Sequence, residues 1–73
     1  MRDINDLLQI VGFGGGIEID GSRCSTRDLT EIADAAARKG GSVVIKGAWR
    51  MSTQDLTQIA SRGKGSVPFD FTE

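Results

Sequence analysis

The chain has 73 residues, which is room for one small domain. Nine Lys and Arg against ten Asp and Glu leave a net charge of −1, which argues against a polyanion-coating protein and against an acidic mimic of nucleic acid. With 38% hydrophobic and 26% charged residues, no apolar run nears the ~18–20 residues a membrane span needs, and no basic-then-apolar signal segment opens the chain.

The first predicted element is a helix carrying Ile4, Leu7, Leu8 and Val11 on one seam, with Asp3 as its cap and Asp6 three residues on. A glycine-rich turn, Gly12-Phe13-Gly14-Gly15-Gly16, leads to a strand holding Ile17 and Ile19 on one face and Glu18 and Asp20 on the other. The second helix starts at Ser25 with Asp28 in capping-box position, and Cys24 stands against Leu29 at hydrophobic-staple spacing. Its seam is Leu29, Ile32, Ala33 and Ala36, opposite a polar stripe of Arg27, Glu31, Asp34 and Arg38. The following strand alternates Val43 and Ile45 with Val44 and Lys46. The third helix repeats these devices: Ser52 and Asp55 at its start, Met51 against Leu56, then Ile59 and Ala60. Its strand alternates Val67 and Phe69 with Pro68 and Asp70. Gly12, Gly40 and Gly63 lie where C-terminal caps belong.

The second and third units are copies of one another. Residues 24–33 (CSTRDLTEIA) match residues 51–60 (MSTQDLTQIA), and 6–11 (DLLQIV) is a degenerate first copy. This predicts an α/β fold of three tandem helix–turn–strand repeats in a single domain spanning 1–73, with repeats at about 3–21, 25–47 and 52–71. Strands joined through helices run parallel with right-handed crossovers, and one-sided alternation means that one sheet face is uncovered. The expected architecture is a three-stranded parallel sheet in order 1-2-3 with the helices on one face. Pro68 favours an edge position with its missing donor outward, and the order sets Lys46 between Asp20 and Asp70. The unit is an α/β repeat pattern without the leucine and asparagine ladder of leucine-rich repeats.

The reactive inventory is thin. Without histidine there is no Ser–His–Asp triad, no Cys–His pair and no His-containing zinc site. A single cysteine, Cys24, excludes an internal disulfide and a Cys-based metal cluster, and it suggests a reducing, cytoplasmic setting. No metal, no cofactor and no enzymatic activity are expected. The glycine run is not a phosphate loop, because it ends a helix and enters a strand rather than the reverse. Cys24 reads as a small staple residue rather than a nucleophile, although Arg23 and a helix start beside it would lower its pKa.

Two surfaces are candidates for binding. Trp49 with Arg50, next to Met51, has the composition of an interface anchor, and Val44 and Pro68 add an apolar strip on the bare sheet face. These four residues are the expected partner-binding set. Arg23, Arg27 and Arg50 lie in or next to the strand-to-helix loops, where α/β sheets bind ligands, and could form an anion-binding rim. Arg38, Lys39, Arg62 and Lys64, at the other end, complement helix dipoles. The expected function is a small non-enzymatic protein-interaction module, homodimeric, working through the exposed sheet face or edge and the Trp49 loop. Its expected partners are a second copy of itself or another protein; neither nucleic acid nor a membrane is expected. The alternative is a module that contacts phosphate or nucleic acid through the loop arginines.

Overall fold

The computed structural model describes residues 4–72. In chain order these form α1 (Ile4–Gly12), β1 (Gly16–Asp20), a 3-10 turn (Gly21–Arg23) and α2 (Thr26–Lys39). β2 (Ser42–Lys46), a second 3-10 turn (Ala48–Arg50) and α3 (Thr53–Gly63) follow. The expected cap Asp3 and the neighbouring Arg2 lie outside the described residues.

The starts of α2 and α3 carry matching local hydrogen bonds. Ser25 and Ser52 sit in extended conformation at the N-caps of α2 and α3, and their hydroxyls accept from the backbone N–H of Asp28 and Asp55, each at 3.1 Å. One turn later the hydroxyls of Thr30 and Thr57 donate to the carbonyls of Thr26 and Thr53, at 2.7 and 2.8 Å. Each serine cap stabilises its helix by about 1 kcal/mol.

Packing then separates the helices. α2 lies between α1 and α3 and buries Leu29, Ile32, Ala33, Ala35 and Ala36. These meet Val11 from α1, Ile59 from α3 and the inward residues Ile19, Val43 and Ile45 of the strands. Burying a Leu or Ile side chain contributes about 1.5–3 kcal/mol, so this central layer holds most of the fold's apolar stabilisation. α3 has a neighbouring helix on one side. Its expected seam is accordingly thinner: Ile59 is buried, Leu56 half-buried and Ala60 exposed.

The three-stranded sheet is not formed. Among the described residues the sheet has two parallel strands, β1 and β2, in the register Ile17 to Val43 and Ile19 to Ile45. Residues 66–70 run along the far edge of β2 but make a single parallel bridge, Ile45 to Phe69. The chemistry of Pro68 explains the shortfall. Val43 N–H donates to the Ser66 carbonyl at 3.1 Å, which is the first bond of a bridge between Val43 and Val67. The second bond would have to come from the nitrogen of Pro68, which carries no hydrogen. One residue pair later the ladder closes, with Ile45 N–H donating to Pro68 O at 3.0 Å and Asp70 N–H to Ile45 O at 2.9 Å. Because the Pro68 carbonyl points at β2, its nitrogen does too. The missing donor therefore faces inward to the ladder, not outward as the sequence suggested.

The C-terminal caps are also redistributed. Gly40 caps α2 in the left-handed region (φ 76°), as its position implies. In α3 the left-handed cap is Lys64 (φ 50°), and Gly63 is instead the last helical residue. Gly63 is buried against Val67, and a Cβ there would overlap the Val67 side chain. Its smallness serves packing rather than turning. Gly12 likewise ends α1 within the helix, and the positive φ falls on Gly14.

Candidate functional site

Both 3-10 turns follow the carboxyl ends of the strands and touch each other, so the two strand-to-helix loops share one end of the molecule. Asp20, the last residue of β1, starts the first turn. Its Oδ1 accepts from Ser22 N–H at 2.9 Å and from Ser22 Oγ at 2.7 Å. Asp70 repeats this arrangement with Thr72, at 2.9 and 2.6 Å. These hydrogen bonds hold both carboxyl groups below the usual aspartate value of 3.8, helped by Arg23 and Arg50 at Asp20 and by Lys46 at Asp70. Between them stands Lys46, in register with Asp20. Gly47 then takes the left-handed conformation (φ 71°), and the Asp20 carboxylate lies against it. Ala48 N–H donates to the Asp70 carbonyl at 3.1 Å, which ties the second turn to the C-terminal segment.

An open cleft of about 630 Å³ forms at this end. Asp20, Ser22, Lys46, Trp49, Arg50 and Thr72 line it. Trp49 is 45% exposed, and the Arg50 guanidinium sits 4.8 Å from the centroid of its ring, within cation–π range. The remaining partner-binding candidates lie on the uncovered sheet face, Val44 half-buried and Pro68 exposed. Trp49 and Arg50 are thus together, with Lys46 connecting the cleft to the sheet face.

The three arginines of the anion-binding alternative do not converge. Arg50 lines the cleft, stacked on Trp49. Arg23 reaches Asp20 at 3.8 Å and borders a smaller groove of about 320 Å³. Arg27 turns along α2 to Glu31, at 3.5 Å. Two carboxylates, Asp20 and Asp70, stand among these cations, so the rim is mixed in sign. At the opposite end, Arg38 and Arg62 both reach Asp34, at 2.9 and 3.8 Å.

Cys24 packs half-buried against the core. Burial, with Asp28 and Asp20 nearby, pushes its thiol pKa up, against the lowering that Arg23 and the helix start suggested. The thiol is therefore protonated at neutral pH and a poor nucleophile. Among the described residues, no group of three or more His, Cys, Asp or Glu side chains could hold a metal ion, and no helix is long and apolar enough to cross a membrane.

Sequence reasoning named Trp49 and Arg50 but missed Asp20, Ser22, Lys46 and Thr72 as cleft residues. The signal was present: Asp20-Gly21-Ser22 and Asp70-Phe71-Thr72 are both Asp-x-Ser/Thr turns at the ends of outer segments. What the fold and site define is a small α/β protein with a mixed-charge, tryptophan-bearing cleft at the strand ends. Comparison with protein-family models, curated proteins and solved structures finds no match.

Proposed function

We propose that this chain is a non-enzymatic protein-interaction module that self-associates as a homodimer, using the Trp49–Arg50 loop and the adjoining half of the uncovered sheet face. The observation that carries the reading is Trp49. A large aromatic left 45% exposed beside an open cleft, with an arginine stacked on it, is the residue pairing that anchors interfaces. The face next to it suits a second copy. Val44 and Pro68 offer apolar contact, and Lys46 flanked by Asp70 gives both signs of charge, so two copies related by a two-fold axis can pair the lysine of each with the aspartate of the other. The non-enzymatic part of the reading rests on the thinness of the reactive inventory: histidine is absent, and burial pushes the pKa of the one thiol up.

Sedimentation velocity over a wide concentration range tests the proposal. The expected result is a monomer–dimer equilibrium that Trp49→Ala weakens by about tenfold or more, the size typical of an interface hot spot. A monomer at every concentration removes the homodimer. The anion-binding alternative has less support, since Arg23 and Arg27 are engaged with carboxylates of their own chain.

A further inference from the structure

We propose that the outer edge of β1 receives an extended segment of another protein, with basic and apolar residues alternating, as an added strand. The inference concerns the β1 edge, which shares Asp20 with the Trp49 cleft but not the Trp49–Arg50 loop, and it does not depend on self-association.

The backbone supplies the first half of the argument. Ser42 N–H donates to the Gly15 carbonyl, and the register pairs Gly16 with Ser42, so alternate residues from Gly15 through Ile19 direct their backbone groups at β2. Gly16, Glu18 and Asp20 therefore turn theirs away from it. Among the described residues nothing pairs with that side, because β1 is the end of the sheet. An open edge of this kind templates strand addition, with main-chain hydrogen bonds supplying affinity and alternate side chains supplying selectivity.

The side chains select the occupant. On the uncovered face, Glu18 is exposed and its carboxylate has no ion-pair or hydrogen-bond partner among the described residues, in contrast to Asp20, which has Ser22 and Arg23. Glu18, Ile19, Asp20 and Arg23 line a groove of about 320 Å³ beside this edge; Arg23 is paired with Asp20, which leaves Glu18 as the open carboxylate. On the helix side, Ile17 stays half-buried where its cross-strand neighbour Val43 is fully covered. A strand laid here would set every second side chain beside Glu18 and Asp20 and the others beside Ile17. Lysine or arginine suits the first positions, and valine or isoleucine the second. A second copy of β1 is the wrong occupant, because any antiparallel pairing of two such edges gathers the Glu18 and Asp20 carboxylates of both copies, and like charges across a strand pair are destabilising.

The test uses three short capped peptides on the isotope-labelled full chain: one alternating Lys and Val, one alternating Glu and Val, and one with the Lys–Val composition in blocks. The expected result is saturable amide shifts at residues 16–20 with the Lys–Val peptide, and slowed hydrogen exchange at Glu18. The Glu–Val and block peptides should bind at least about tenfold more weakly. Glu18→Lys, a surface change that leaves the core untouched, should reverse the order of the two alternating peptides. Equal binding of Lys–Val and Glu–Val peptides, shifts confined to the Trp49 cleft, or indifference to Glu18→Lys would each overturn the proposal.

Discussion

Units two and three share almost the same helix sequence yet reach different structures. α2 has 14 residues and is followed by a paired strand; α3 has 11 and is followed by a single bridge. The helix starts are equivalent, Ser25 with Ser52, down to matching cap and threonine bonds. Divergence begins at the far end. Unit two carries an extra alanine stretch, Ala35-Ala36-Ala37, that lengthens α2 by most of a turn and buries Ala35 and Ala36. Unit three comes to its turn early, spends its glycine on packing against Val67, and sets a proline where unit two has Val44. Similarity at the caps thus says where a helix starts, while the paired strand depends on one backbone donor that similarity does not register.

Matched core positions give the largest expected contrast. Leu29 is 1% exposed and sits in the central helix, so Leu29→Ala should cost about 2–5 kcal/mol of unfolding free energy. The equivalent Leu56→Ala, half-buried in an outer helix, should cost less than half as much. Urea denaturation of both variants compares them directly, and equal losses would mean that α3 is as well covered as α2.

Glycine substitutions sharpen the difference between the two turns. Helix propensity alone would make Gly63→Ala stabilising by about 1 kcal/mol. The added Cβ overlaps Val67, so the variant should instead lose about 1–2 kcal/mol. Gly40→Ala meets no atoms and should lose about 1 kcal/mol from its left-handed backbone alone. A stabilised Gly63→Ala would refute the packing role of that residue.

Restoring the donor is a smaller and more selective change. Pro68→Val supplies an N–H aimed at the Val43 carbonyl, and the expected gain is up to about 1 kcal/mol, reduced by the freer unfolded chain. The sharper readout is hydrogen exchange: the new amide at position 68 should be protected. An unprotected amide would show that something other than the proline limits the third strand.

The smallest effect is electrostatic. Asp20 and Asp70 have folded pKa values below the ordinary 3.8, so deprotonation favours the folded state. Their contribution is fully present above the unfolded value and is lost as pH falls through the lower folded values. Asp20→Asn and Asp70→Asn should flatten this acid limb of the stability profile, each slightly, because both carboxyl groups are exposed to solvent.

Much of the fold was legible because its determinants are local. Ser25 and Ser52 bond within their own first turn, and Leu29, Ile32, Ala33 and Ala36 announce their common face by spacing alone. The third strand was not legible, since Val67-Pro68-Phe69 keeps the alternating pattern and the consequence of Pro68 appears only against the Val43 carbonyl. The thinner seam of α3 depends on what lies beside it, which periodicity does not report. Within the site, Trp49 and Arg50 stood out by residue type, whereas Asp20 and Thr72 reach the cleft through turns whose Asp-x-Ser/Thr signature passed as ordinary loop sequence.

The central claim is that the Trp49 loop and the neighbouring sheet face meet a second copy of the chain. A dilution series followed by two-dimensional amide and indole NMR spectra tests it most directly. Self-association through this face predicts concentration-dependent shifts at the Trp49 indole, Val44, Lys46 and Asp70, with α2 unaffected and the whole effect weakened in Trp49→Ala. Spectra that stay constant to millimolar concentration, or shifts that gather on another face, would contradict it.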